Sequence, residues 1–343
     1  MRHPTRESPD TEARMVGVGP GYSIENWIVD DAYDLGRKSA RWDVSCEQLS
    51  SGRFSGRVCE FWLGSIQVVQ ENCNQAFLES GRSWSSSRTF AVFSPHGDPG
   101  RYFGAPLCGD RVCTLSSDDE IDIRTPSGFE RTSVTVGAGV LDDYLSDRER
   151  VLLASRFARG SIAGTPAAAR SLRDSLSRVL RTISASPGVL LRVQARRTLG
   201  ESVVSSILDH GIAPSADAPA DRPGHARETL IVKYARDYIV EHMDEPITIA
   251  DLCSHLNVSR RTLQYCFENL LGVSPSVYLR LLRLNGAHRD LKLADPTETD
   301  VTQIATGWGF WHLARFSMYY RRLFGEYPSE TLRKSPRKTR TPS

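Results

Sequence analysis

The sequence predicts an α+β chain: a β-rich N-terminal barrel with helices behind it, then an all-α domain of two helix-turn-helix units. Three observations predict this. Short runs of alternating apolar and polar residues, broken by Gly, Pro, Ser and Asp, fill residues 39–136. From about residue 140 the apolar period lengthens to that of a helix. The C-terminal third then states one pattern twice, as FENLLGVSPSVYLR at 267–280 and YRRLFGEYPSETLR at 320–333.

The 343 residues are too many for one small domain, so two or three are expected. Hydrophobic residues at 40% and charged residues at 24% are globular proportions, which argues against a disordered or fibrous chain. The N-terminus MRHPTRESPDTEAR has no apolar core and does not read as a secretory signal. No apolar run approaches ~20 residues, so no membrane partner and a cytoplasmic location are expected. The seven cysteines, at 46, 59, 73, 108, 113, 253 and 266, show no CxxC or CxxH pairing and are read as reduced thiols. Before residue 150 the histidines are His3 and His96, too few for a metal-holding barrel, so no metal and no cofactor are expected. The net charge of +2 hides an asymmetry. Residues 226–343 hold 17 basic and 13 acidic residues, the remainder 26 and 28, so the basic excess sits with the repeat. That favours an anionic partner such as nucleic acid.

Residues 1–24, polar and dotted with Gly and Pro, are expected to be disordered. Gly17-Val18-Gly19-Pro20-Gly21 lacks the Lys-Ser/Thr of a phosphate loop. A sensor or dimerisation domain is expected over 25–210, with strands to about 139 and helices over 140–209. The strands are read from Trp42-Val44-Cys46, Arg57–Leu63, Ile66–Gln70, Thr89–Phe93, Val112–Leu115, Ile121–Arg124 and Thr132–Val136. Leu172, Leu176, Val179, Leu180 and Ile183 mark one helical face, and Val203, Val204, Ile207 and Leu208 another. Those helices either pair in a homodimer or cover the barrel. A small-molecule effector is the expected ligand of the barrel, with Trp42, Phe61, Trp62, Gln75, Trp84 and Arg88 as pocket candidates. Aromatic residues in a barrel are more often core than cage. GIAPSADAPADRPGH, 211–225, has almost nothing to bury and reads as a linker.

The C-terminal domain is expected over 226–333, with a basic tail at 334–343. Its first helix runs from about Arg227 to Met243. Thr248 is an N-cap with Asp251 at the third helical position. The first helix-turn-helix unit covers about 249–269 and the second about 301–323. Cys253 and Ala305 are small where helices cross, and Asn257 and Gly309 suit a left-handed turn. Ser259 caps the next helix, in which Leu263 and Phe267 face inward; Phe316 and Tyr320 do so in the second unit. Arg260, Arg261, Gln264 and Tyr265 then remain as candidate base contacts, followed by His312, Ala314, Arg315 and Met318 in the second unit. Arg bonds guanine edges in bidentate fashion and Gln does so with adenine. Ser259, Thr262, Arg321 and Arg322 are candidate phosphate contacts. A long helix from Ser276 to about Leu293 would hold the units apart, so that two recognition helices enter successive turns of the major groove.

The segment from about Leu230 to Arg333, above all IATGWGFWHLARFSMYYRRLFGEYPSETL, resembles the DNA-binding domain of the AraC/XylS family of transcription regulators. The resemblance implies transcription control, usually activation beside RNA polymerase on promoter or operator DNA. By position it assigns base reading to Arg261, Gln264, Tyr265, Ala314, Arg315 and Met318. Trp42–Leu49, Asn74–Phe77, Arg88–Phe93 and Glu120–Pro126 are similar to AraC-type members related to the ethanolamine operon regulator. That similarity implies a cupin-like barrel that binds an effector or dimerises. Two other readings stand beside the effector-responsive activator: control by a protein partner, and an enzyme fused to a DNA-binding domain. No nucleophile elbow and no Ser/His/Asp arrangement supports the enzyme.

Overall fold

The computed structural model describes the chain apart from residues 1–12, 20, 39–40, 95–99, 103, 108–110, 118, 143–144, 148–149, 152, 154–161, 212–222, 244, 246 and 336–343. The chain divides into a β-rich unit and a helical unit. His96, Cys108, most of the expected linker and nearly all of the basic tail lie outside the described residues.

The β-rich unit holds two antiparallel sheets. The large one has strand order β1-β2-β4-β5-β12-β7-β10-β13. Its members are β1 Ala13–Gly19, β2 Tyr22–Val29, β4 Gly56–Leu63, β5 Ile66–Cys73, β7 Ser87–Ser94, β10 Val112–Ser116, β12 Phe129–Gly137 and β13 Ile162–Ala163. The small one, in order β3-β6-β11-β8-β9, comprises β3 Asp43–Gln48, β6 Phe77–Arg82, β8 Arg101–Tyr102, β9 Ala105–Pro106 and β11 Ile121–Arg124. A short helix, α1 (Ala32–Lys38), separates β2 from β3, and α2 (Ala138–Asp142) follows β12.

Both faces of the large sheet are used, because side chains alternate along a strand. Val68, Phe90, Val92, Val134 and Val136 pack on one side against Leu172, Leu176, Leu180 and Ile183 of α3 (Pro166–Ala185) and Val203 and Val204 of α4 (Val193–Ser206). Residues one step out of phase, among them Val69, Glu71, Ala91, Phe93, Arg131 and Ser133, line a cavity together with Val44, Cys46, Glu79, Tyr102, Ile121 and Ile123 of the small sheet. Thr165 caps α3 by accepting from the Ala168 N–H, and Pro166 opens the helix.

Two expectations fail here. Residues 13–19 and 22–24, expected to be disordered, lie in strands: β1 pairs with β2 from Ala13↔Trp27 to Gly19↔Tyr22. Gly21, at φ +82°, supplies a left-handed position between the two strands, so a glycine read as loop composition belongs to a hairpin. The stretch expected to be wholly helical after about 139 also returns a strand, Cys113 pairing with Ile162 and Val112 with Ala163.

The helical unit comprises α5 Pro223–Glu241, α6 Ile249–Leu256, α7 Arg260–Leu271, α8 Pro275–Leu293, α9 Val301–Gly307, α10 Leu313–Phe324 and α11 Pro328–Lys334. Glu47–Phe54 groups with it, although the sequence places that segment between β3 and β4. The expected domain 25–210 is therefore interrupted, and α5 begins inside the expected linker. Leu252, Leu263, Phe267, Leu270, Tyr278 and Leu282 are buried in the first half, and Ala305, Phe316, Tyr320 and Leu323 in the second. Among the described residues, no helix is long and apolar enough to cross a membrane.

Candidate nucleic-acid interface

The first helix-turn-helix unit is built by local chemistry. Thr248 and Asp251 form a reciprocal capping box: the Asp251 N–H donates to Thr248 Oγ1 at 3.3 Å, and the Thr248 N–H donates to Asp251 Oδ2 at 2.8 Å. Asn257 ends α6 in the left-handed region, φ 50° and ψ 47°. The Val258 N–H then reaches back to the Cys253 carbonyl at 3.1 Å, closing the turn. Ser259 caps α7, its hydroxyl accepting from the Thr262 N–H at 3.1 Å.

With Leu263, Cys266 and Phe267 buried, the other face of α7 is left to solvent. Arg260, Arg261, Gln264 and Tyr265 are all exposed, Tyr265 by 59%. They fall on the first half of the helix, the part that a recognition helix turns toward base edges. Gln264 donates one N–H to Glu268 Oε1 at 3.0 Å, one turn on, which leaves its second N–H and its carbonyl for other partners. The Ser259 and Thr262 hydroxyls lie 2.8 Å apart at the positively polarised helix start.

The second unit repeats the plan. Asp300 and Gln303 form its capping box, Gly309 turns left-handed at φ +77°, and the Phe310 N–H bonds the Ala305 carbonyl at 2.9 Å. His312 occupies the N-cap of α10 and makes no side-chain cap. His312, Ala314, Arg315 and Met318 are exposed, Met318 by 55%. Arg322 is exposed as well, whereas the Arg321 guanidinium stacks on the Tyr327 ring at 4.6 Å and donates to its hydroxyl. Trp311 escaped the sequence reading: it is 78% exposed, immediately before the α10 cap. A large aromatic residue beside a recognition-helix start, outside the apolar period, was the available signal.

The units meet through α8. Gly286 lets the Trp308 ring lie against that helix, where a Cβ would stand 2.2 Å from it, and Trp308 Nε1 donates to Asp290 Oδ2 at 2.7 Å. In the second unit a polar chain runs through the core. Here His288 Nδ1 meets the Tyr320 hydroxyl, which donates to Thr331 Oγ1 at 2.7 Å; Thr331 donates in turn to Glu326.

The cavity of the β-rich unit, about 50 Å³, has room for a few waters or a small organic molecule. Of the six pocket candidates, Trp42 lines it and donates from Nε1 to Gln67 Oε1 at 2.8 Å. The other five are not among its lining residues. Phe61 lies on the opposite face of the large sheet, in the core against the helices. Trp62 and Trp84 stack on each other at 4.8 Å under the Arg41 guanidinium. Arg88 is one step out of phase with Thr89, which does line the cavity, and Gln75 sits half-buried in the turn before β6.

Three charged residues that were not candidates line it instead. Arg131 Nε donates to Glu71 Oε2 at 2.6 Å and Nη1 to Glu79 Oε2 at 2.5 Å. Burial pushes the Glu71 carboxyl up, Arg131 opposes this and Glu79 adds to it. Burial pulls against the Arg131 charge, but the two carboxylates outweigh it and hold the guanidinium protonated. Beside the lining residue Gln67, Glu60 accepts from that amide and is pushed up to about 7 by burial.

Two helix-turn-helix units joined by one long helix, each presenting a polar recognition face, define a DNA-binding domain. The helix-turn-helix domain family matches residues 252–334. The chain is 43% identical over 106 residues to the Probable thc operon regulatory protein of Rhodococcus erythropolis, 31% of this chain and 32% of that protein. It is 25% identical over 284 residues to XylDLEGF operon transcriptional activator 1 of Pseudomonas putida, 79% of this chain and 76% of that one. Among solved structures, a probable AraC family transcriptional regulator of Rhodopseudomonas palustris CGA009 is 38% identical, covering 31% of this chain and 99% of that chain with a TM-score of 0.29. The match thus spans about a third of the first of these relatives and nearly the whole of the last. By these likenesses the C-terminal domain is similar to the helix-turn-helix domains of AraC/XylS-type transcription regulators.

Proposed function

We propose that the protein is a sequence-specific DNA-binding transcription regulator, an activator that answers to a small-molecule effector. The observation that carries it is the pair of recognition helices, α7 and α10, each with its first half exposed and its other face buried. On this reading Arg261, Gln264 and Tyr265 contact base edges in one window of the major groove. His312, Arg315 and Met318 face the next window, about 34 Å along the duplex. Arg260 and Ala314 flank those contacts, and Ser259, Thr262, Arg321 and Arg322 grip phosphate. Promoter DNA and RNA polymerase are the implied partners, the cytoplasm is the implied location, and no catalytic role is assigned. A homodimer remains part of this reading, although the apolar faces of α3 and α4 that suggested it pack on the large sheet.

The effector site on this reading is the cavity between the sheets. Its chemistry narrows the ligand. Two buried carboxylates already engage the Arg131 guanidinium, and among the described lining residues the acidic groups outnumber the basic one. A neutral or cationic molecule suits it better than a carboxylate.

The test is a gel-shift titration of full-length protein on a duplex selected from a random pool. Arg261→Ala should weaken the selected duplex by about 1–3 kcal/mol and relax preference at one position. Unchanged affinity and preference would remove Arg261 from base reading. Melting the protein against a panel of small molecules tests the effector, because a ligand of the folded state raises the melting point.

A further inference from the structure

The last carbonyls of a helix have no partner within it and must find one elsewhere. For α10 the partner comes from Glu47–Phe54. The Gly52 N–H donates to the Arg322 and Leu323 carbonyls at 3.1 and 3.0 Å. The buried Gln48 amide adds a second tie, Nε2 lying 2.7 Å from the Leu323 carbonyl. The same nitrogen reaches the Ser50 and Gly52 carbonyls at 2.9 and 2.6 Å, so it also holds the segment in its bend.

The segment is anchored at its other side by α8. Asn285 pairs with the Gln48 backbone as a neighbouring strand would. Its Oδ1 accepts from the Gln48 N–H at 3.0 Å, and its Nδ2 donates to the Gln48 carbonyl at 3.0 Å. Nδ2 also bonds the Leu281 carbonyl at 2.9 Å, which fixes the amide's orientation. Leu49 and Phe54 are buried. Gly325, the left-handed cap of α10, admits the segment closely: a Cβ there would stand 2.9 Å from the Arg53 backbone nitrogen. The first unit ends differently, α7 closing on Gly272 while Asn269 donates to Glu228 of α5.

We propose that Glu47–Phe54 is a positioning element of the DNA reader, with Gln48 and Asn285 as the residues that fix the C-terminal end of α10 against α8. The proposal rests on the reading that α10 enters a groove. Groove contacts by the second unit depend on this element, and those of the first do not.

The experiment uses full-length protein carrying Gln48→Glu or Asn285→Asp. Each keeps the shape and removes the donor. Hydrogen exchange reads positioning without DNA: amides of residues 320–325 should exchange at least tenfold faster, those of α7 unchanged. Equal exchange in α10 overturns the proposal whether or not the protein binds DNA. On the duplex selected by the unmodified protein, affinity should fall roughly tenfold, the worth of one charged or well-placed hydrogen bond. On a duplex with the second window scrambled, variant and unmodified protein should bind alike. An equal loss on both duplexes would mean a general folding role and overturn the proposal. Failure of the unmodified protein to select any sequence would instead sink the DNA-reading function, leaving the exchange result to judge the positioning.

Discussion

At the turn of the first helix-turn-helix unit Asn257 stands left-handed at φ 50°; at the same place the second unit has Gly309 at φ 77°. Asn tolerates that region through its short polar side chain, and Gly enters it freely. The contrast runs through both units. In the first, Ser259 caps the recognition helix; in the second, His312 sits at the cap and offers no side-chain bond. The first has Phe267 in its core against Tyr278, with ring centroids 5.5 Å apart. The second has Tyr320 at the matching position, bonded to His288 and Thr331. One scaffold has thus been kept by two kinds of chemistry. Both units carry a local capping box, but the second recognition helix lacks the side-chain cap of the first and has a buried polar chain in place of an apolar core.

The largest test of that difference exchanges the core aromatics. Tyr320→Phe leaves His288 and Thr331 short of a buried partner and should cost about 1–3 kcal/mol. Phe267→Tyr places a hydroxyl in the apolar core of the first unit and should cost a similar amount for the opposite reason. Chemical denaturation, with hydrogen exchange to assign each loss to its unit, reads both. A near-neutral Tyr320→Phe would show that the polar chain adds nothing, and the two cores would then be equivalent.

The same difference explains what could be read from the sequence. Thr248, Ser259, Asn257 and Gly309 act within a few residues of themselves, so their roles were visible in the order of residues. The inward positions of Leu263, Phe267, Phe316 and Tyr320 followed from helical period. The tie between Gln48 and Asn285 spans 237 positions and carries no local signature. The cavity misled for another reason. Gln67, Val69 and Glu71 share one face of β5 and are mostly polar, as a solvent-facing row would be, yet they line the cavity. Period tells which residues share a face; it does not tell what covers that face. Aromatic residues were therefore preferred as pocket candidates over Glu71, Glu79 and Arg131. The hairpin of β1 and β2 was not legible because glycines punctuate turns and disordered tails alike.

A middle-sized effect is expected at the turns. Gly309→Ala must hold a Cβ at φ 77° and should cost about 1–2 kcal/mol. Asn257→Gly relieves that strain while loosening the unfolded chain and should come out within about 0.5 kcal/mol of neutral. Both are read from denaturation midpoints at constant slope. A costly Asn257→Gly would mean that the Asn side chain, not just its backbone, holds the first turn.

The smallest effect separates the two helix starts. Removing the Ser259 hydroxyl leaves the Thr262 N–H without its acceptor, so Ser259→Ala should cost about 1 kcal/mol. His312→Ala removes no cap bond and should change stability by less than about 0.5 kcal/mol. DNA affinity should divide differently. On the proposed reading Ser259 grips phosphate at its helix start and His312 faces base edges, so each substitution should weaken binding whether or not it weakens the fold. Ser259→Ala would then lose stability and affinity together, and His312→Ala affinity alone. If His312→Ala also lowers the denaturation midpoint, the second recognition helix has a cap after all, and the side-chain cap ascribed to the first would be common to both.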